Sequence, residues 1–128
     1  METSQLKRIP LFADASDEEL KRVAAFAESR EVSEGTEVIG EGQFSRELLA
    51  IEDGTAQVTR DGEQVAELGP GDVFGEAGML DDEMRSASVT ATSSLKLISM
   101  GHFEVKRLKR NAPDVYGRIE QLIEQRAG

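Results

Sequence analysis

Apolar residues near the N-terminus recur at the spacing of one face of an α-helix. The positions are Leu20, Val23, Ala24 and Ala27. Intervals of three and four residues place side chains on the same side of a helix. Ser16 stands before this run and Glu19 follows three residues later, which is the arrangement of a capping box at a helix start. The pattern predicts a helix from about Asp17 to Arg30, preceded by a short turn in residues 6–12.

Between residues 31 and 100 the pattern changes to short β-prone runs separated by glycine-bearing turns. Residues 56–60 and 63–68 flank Asp61-Gly62, a dipeptide that strongly favours a two-residue β-hairpin turn. Residues 86–91 alternate strictly between polar and apolar, as expected of a strand with one buried face. Many short strands at this spacing predict a rolled or closed antiparallel sheet of the jelly-roll type.

Helical spacing returns after residue 101. Residues 102–110 form one short segment, and Pro113 then suits the first turn of a second helix. That helix carries a broad apolar stripe at Val115, Tyr116, Ile119, Leu122 and Ile123. The expected fold class is α+β, mainly β: an antiparallel β-roll flanked by an N-terminal helix and C-terminal helices. We expect one domain over the whole chain, divided into a helical segment (1–30), a roll (31–100) and C-terminal helices (101–128).

Composition and charge narrow the classes of function. The chain has 128 residues, 38% of them hydrophobic, and no apolar run of membrane-spanning length. Its N-terminus lacks the basic and apolar regions of a signal peptide, which indicates the cytoplasm. A net charge of −10 opposes binding to a nucleic-acid backbone. The absence of cysteine and the single histidine, His102, argue against a metal site or a catalytic centre.

The segment from Phe74 to Val89 carries the most specific chemistry. A Gly-Glu pair stands where a short helix could begin, and a single arginine, Arg85, precedes the strand-like alternation. Backbone amides at a helix start and a guanidinium group together suit one phosphate group. The Glu76 carboxylate is able to accept a hydrogen bond from a sugar hydroxyl. These residues predict a pocket for a small phosphorylated ligand.

The whole arrangement resembles the cyclic nucleotide-binding domain family. The features that carry the resemblance are the order helix, glycine-punctuated roll and helix, with Phe-Gly-Glu and Arg-Ser-Ala-Ser-Val inside the roll. The family includes the cAMP receptor protein and the protein kinase A regulatory subunit, and this chain looks like a stand-alone domain of bacterial type. The family's turn glycines correspond to Gly42, Gly54 and Gly71. Residues 74–89 correspond to its phosphate-binding cassette.

The resemblance implies a role for each residue of the cassette. Arg85 pairs with the cyclic phosphate, and Glu76 accepts a hydrogen bond from the ribose 2′-hydroxyl. The implied ligand-binding set is Phe74, Gly75, Glu76, Ala77, Arg85, Ser86 and Ala87. Family members often close the pocket with a residue of the C-terminal helix that stacks on the base. Tyr116 and Leu122 are the candidates, and ordinary packing of that helix is the other interpretation.

Two interpretations of function remain open. The first is a non-catalytic sensor that binds a cyclic purine nucleotide, cAMP or alternatively cGMP, and relays occupancy through its C-terminal helices. The second is a degenerate fold that serves as a structural or protein-interaction module without a nucleotide. Met84 replaces the usual proline, Gly78 weakens the short helix, and residues 81–83 place three carboxylates beside the arginine, all of which favour the second. An enzyme on a cupin-like roll is disfavoured, because one histidine cannot build its metal site.

The expected partners follow from the first interpretation. They are a small-molecule cyclic nucleotide and an unidentified protein effector, with no cofactor, nucleic acid or membrane. The apolar stripe of the last helix packs either on its own roll or on a second copy, which would give a homodimer. A DNA-binding regulator is disfavoured because the chain stops at Gly128. The basic cluster at residues 106–110 either complements a helix C-terminus or meets an anionic partner.

Overall fold

The structure, a computed structural model, describes residues 1–40, 47–75 and 87–127, with side chains left out at 123 and 125–127. Its helices are α1 (Thr3–Lys7), a 3-10 turn (Pro10–Phe12), α2 (Asp17–Phe26), α3 (His102–Asn111) and α4 (Pro113–Ala127). Its strands are β1 (Glu28–Val32), β2 (Glu37–Ile39), β3 (Glu47–Asp53), β4 (Ala56–Arg60), β5 (Glu63–Leu68), β6 (Val73–Phe74), β7 (Ser88–Ala91) and β8 (Leu95–Gly101).

The strands form two four-stranded sheets. The first sheet has the order β1-β8-β3-β6, and the second has the order β2-β7-β4-β5. Every neighbouring pair in both sheets is antiparallel. The predicted fold class, an antiparallel β-roll flanked by helices, is therefore confirmed.

Two apolar clusters hold the fold together, one on each face of the first sheet. The inter-sheet cluster lies between the sheets and consists of Ile39, Leu49, Ile51, Ala56, Phe74, Val89, Ala91, Leu95 and Leu97. The helical cluster joins the other face to the helices and consists of Leu6, Ile9, Phe12, Leu20, Val23, Leu48, Ala50, Val73, Ile98, Met100, Val105, Leu108, Ala112, Val115 and Ile119. Neighbouring residues of a strand of the first sheet therefore pack in different clusters, because successive side chains of a strand point to opposite faces of its sheet.

The predicted end of the first helix at Arg30 is wrong. Helix α2 ends at Phe26, and Ala27 adopts an extended conformation with φ −96° and ψ 150°. Residues 28–32 form β1, whose backbone pairs with β8 from Glu28 opposite Ser99 to Val32 opposite Leu95. Helical spacing alone does not reveal this boundary, because the hydrogen-bonding partner of β1 lies far along the chain.

The hairpin and the C-terminal helices agree closely with the prediction. Strands β4 and β5 occupy residues 56–60 and 63–68. Between them Asp61 and Gly62 have φ of 54° and 81°, the left-handed conformation at both central positions that a tight hairpin turn demands. Helix α3 extends to Asn111, one residue beyond the prediction, and α4 begins at Pro113 as predicted.

The predicted capping box forms only in part. The Ser16 hydroxyl accepts a hydrogen bond from the Glu19 amide at 3.2 Å, so the serine caps α2 as expected. The Glu19 carboxylate, however, contacts the start of α4: its Oε1 accepts from the amides of Asp114 at 3.1 Å and Val115 at 3.4 Å. A residue expected to cap its own helix thus caps another.

Candidate functional site

The core of the predicted cassette lies outside the described residues. Residues 76–86 are not described, and they include Glu76, Ala77, Gly78, Met84, Arg85 and Ser86. Their assigned roles stay predictions. The structure does describe the two ends of the cassette, at Phe74-Gly75 and at Ala87, and the surfaces from which those ends emerge.

The first end leaves the edge of the first sheet. Strand β6 has two residues, Val73 opposite Ala50 and Phe74 opposite Leu49 on β3. Phe74 is 6% exposed and packs in the inter-sheet cluster, so its ring anchors the chain inside the roll. Gly75 follows with φ +84°, a left-handed conformation that glycine adopts at little cost. Strand β6 therefore ends at a left-handed residue immediately before Glu76 in the sequence.

The second end enters the centre of the second sheet. Ala87 is half-buried and directly precedes β7. Strand β7 lies between β2 and β4, and its Val89 and Ala91 are buried in the inter-sheet cluster. The two ends of residues 76–86 are thus anchored on different sheets, by Phe74 and Val89 of the same apolar cluster.

The two base-capping candidates lie elsewhere. Tyr116 and Leu122 are partly buried and pack against the helical cluster, on the far face of the first sheet from the inter-sheet cluster. The structure therefore does not bring them together with Phe74. In the conformation described, ordinary packing accounts for both side chains, and their contact with a base stays a prediction.

Charged residues of the N-terminal segment hold the junction of α3 and α4. Besides the Glu19 contacts with α4, Arg22 donates from Nη1 to the backbone oxygen of Asn111, in the last turn of α3, at 2.9 Å. Each charge matches the helix end that it meets, because a helix has a positive N-terminal and a negative C-terminal pole. Arg118 on α4 reaches back to Asp14 at 3.6 Å. This junction was not predicted from the sequence. The available signal was that the first amides of a helix, here those after Pro113, need a hydrogen-bond partner from outside the helix.

Two features are absent from the described ranges, a cluster of metal-binding side chains and a membrane-spanning helix. Within residues 1–40, 47–75 and 87–127, no three His, Asp or Glu side chains converge as they would around a metal ion. Over the same residues, no helix combines the length and the apolar character needed to cross a bilayer.

Comparison with known proteins identifies the family. The profile of the Cyclic nucleotide-binding domain family matches residues 29–111, which is more than half of the chain. The cAMP-dependent protein kinase regulatory subunit of Yarrowia lipolytica is 39% identical over 105 residues, covering 80% of this chain and 28% of the relative. The corresponding subunit of Eremothecium gossypii is 36% identical over 104 residues, covering 80% of this chain and 23% of the relative. The chain thus spans less than a third of these relatives.

Solved structures show the same architecture. The catabolite activator protein of Thermus thermophilus superposes with a TM-score of 0.83 at 28% identity, over 92% of this chain and 58% of that one. A putative cyclic nucleotide-binding protein of Geobacter metallireducens has the same fold, with a TM-score of 0.82 at 18% identity over 98% of this chain and 94% of that one. These structures share the fold, and the family profile over residues 29–111 shows that the chain belongs to the cyclic nucleotide-binding domain family.

Proposed function

We propose that this domain is a non-catalytic sensor that binds cAMP at residues 74–87. The observation that carries the proposal is the anchoring of the chain at both ends of the cassette. Phe74 pairs in the first sheet, Ala87 directly precedes β7 in the second, and Phe74 and Val89 share one apolar cluster. These two ends flank, in the sequence, the segment that contains Glu76 and Arg85. The curated relatives named above are regulatory subunits of a cAMP-dependent kinase, which favours cAMP as the first ligand to test.

The roles in the proposed site follow from the chemistry of each group. The Arg85 guanidinium donates two parallel hydrogen bonds to the cyclic phosphate, a geometry that lysine cannot reproduce. The Glu76 carboxylate accepts from the ribose 2′-hydroxyl. Gly75, Ala77 and Ser86 let the backbone approach the sugar and phosphate closely, because their side chains are small.

Relay of occupancy is proposed to run through the C-terminal helices. Tyr116 and Leu122 rest on the helical cluster in the conformation described, and Glu19 holds the first amides of α4. A ligand that gains a base contact from α4 would shift the population toward conformations in which this packing is exchanged for that contact. The ligand can change the free-energy difference between the two conformations by no more than the difference between its binding free energies for them.

Calorimetric titration with cAMP and with cGMP tests the proposal and its base preference together. Replacing Arg85 with alanine removes a charge-assisted contact worth about 1.5–3 kcal/mol, so affinity should fall at least about tenfold. Arg85→Lys keeps the charge but not the paired hydrogen bonds, so its affinity should lie between those of the unchanged protein and Arg85→Ala. Lys21→Ala, which removes an exposed cation of α2, is the matched control and should bind like the unchanged protein. No heat and no thermal shift with either nucleotide would falsify the proposal.

A degenerate module without a nucleotide is the second candidate, and the acidic residues 81–83 favour it. One of these carboxylates is close enough in sequence to pair with Arg85 and compete with a phosphate. Near a surface, opposite charges about 4 Å apart attract by about 4 kcal/mol at an effective dielectric of 20. If this competition operates, the triple change Asp81→Asn, Asp82→Asn and Glu83→Gln raises nucleotide affinity. Unchanged affinity excludes the competition, and absent binding in both forms supports the degenerate module.

A further inference from the structure

The face of α3 that points away from the core exposes an aromatic ring. Val105 and Leu108 are at most 1% exposed and belong to the helical cluster, whereas Phe103 is 69% exposed. At about 100° per residue, Lys106, Arg107 and Arg110 lie on the same side of the helix as Phe103. The exposed phenylalanine ring therefore has three cationic side chains beside it on the helix surface.

The charge of this helix is opposite to that of the chain. Helix α3 contains four Lys or Arg residues and a single acidic residue, Glu104, in a chain whose net charge is −10. Lys106, Arg107, Lys109 and Arg110 are all exposed. The Arg107 guanidinium lies 6.0 Å above the Phe26 ring, and the other three form no ion pair with any of the residues that the structure describes. Their charges remain available to a partner.

These side chains form one side of an open cavity with a volume of about 1000 Å³. Its described lining consists of Phe103, Lys106, Arg107, Lys109, Arg110 and Asn111. We refer to it as the α3 groove. Because it combines one apolar anchor with four cations, it matches a ligand that carries an apolar side chain between carboxylates.

The size of the basic surface distinguishes among anionic partners. Ten helical residues span about 15 Å, so the cations cover a short stretch of surface. A nucleic-acid backbone or an anionic bilayer extends well beyond that length and would meet the negative charge that predominates on the rest of the chain. An extended peptide rises at most about 3.6 Å per residue, so a few residues are enough to fill the groove.

We propose that the α3 groove is a docking site for a short acidic peptide segment with an apolar side chain at its centre. The site lies on α3 and uses none of the cassette residues. Phe103 contacts the apolar side chain, and Lys106, Lys109 and Arg110 pair with the flanking carboxylates.

The test uses a fluorescein-labelled peptide of about eight residues, about twice the number that spans the groove, so that acidic residues extend on both sides of the centre. In this peptide leucine and phenylalanine are flanked by aspartates and glutamates. Its control has asparagine and glutamine at every acidic position. Fluorescence anisotropy with the full chain should show saturable binding of the acidic peptide alone, weakening as salt is added. Lys106→Glu and Arg110→Glu should each reduce affinity about fivefold or more, because one attraction is lost and one repulsion gained. Phe103→Ala should also weaken binding.

Lys21→Glu makes the same charge change on α2 and should leave affinity unchanged. All the variants should melt like the unchanged protein, since the altered side chains face away from the core. Equal binding of the amide peptide, equal affinity of the α3 variants and Lys21→Glu, or no saturable binding overturns the proposal. Binding of phosphatidylserine vesicles or duplex DNA in preference to the acidic peptide overturns it in favour of an extended anionic surface.

Discussion

Glu19 connects the N-terminal helix to the start of the last helix, and its removal should destabilise the whole fold. The residue is 8% exposed, and its Oε1 accepts from the amides of Asp114 and Val115. Pro113 has no amide hydrogen, so these two are the first donors of α4. Glu19→Ala leaves both donors without their carboxylate and removes a negative charge from the positive pole of the helix.

The size of the effect follows from measured analogues. Loss of a helix N-cap costs about 0.5–2 kcal/mol, and a hydrogen bond to a charged group contributes about 1.5–3 kcal/mol. These ranges describe overlapping contributions, so Glu19→Ala should lower the free energy of unfolding by about 2–3 kcal/mol. Glu19→Gln keeps an acceptor oxygen and loses mainly the charge, which is worth about 0.3–1 kcal/mol near a helix end.

The matched control is Glu18→Ala. Glu18 lies in the same first turn of α2 but is exposed. Its removal should cost about 0.5 kcal/mol, from the dipole of α2 alone. Urea unfolding followed by far-ultraviolet circular dichroism gives the free energy of each variant from its midpoint and slope. The reasoning is refuted if Glu19→Ala and Glu18→Ala have the same stability, or if Glu19→Gln is as unstable as Glu19→Ala.

Two further predictions concern the turns and the surface of the roll. Gly54→Ala should lower the free energy of unfolding by about 2 kcal/mol or more, because Gly54 has φ +97° and a Cβ there would overlap the backbone oxygen of Ser94. Gly62→Ala should lower it by only about 1 kcal/mol in the same urea titration, because Gly62 has φ +81° but open space around it. The 2.9 Å ion pair between Arg30 and Glu47 is partly exposed, so a double-mutant cycle with alanine at both positions should give a coupling below about 1 kcal/mol, and a larger value would contradict the screening expected there.

Local signals predicted much of the roll. The Asp61-Gly62 turn places two left-handed residues in succession, so the hairpin is determined within a few residues and its strands were predicted to the residue. The serine cap at Ser16 and the start of α4 at Pro113 are local in the same sense. The candidate site was predicted from spacing and family resemblance. Of its ligand-binding residues the structure describes Phe74, Gly75 and Ala87, at the two ends of the cassette.

The sequence by itself determined the class of fold, the family motif and the elements that are defined by their own local caps and turns. The tertiary structure alone decided three things: that residues 28–30 leave the helix to pair with β8, that Tyr116 and Leu122 pack on the helical cluster, and that the Glu19 carboxylate caps α4. The reason is separation along the chain. Glu19 and Asp114 are 95 residues apart, so their contact exists only where the tertiary structure brings the two helices together.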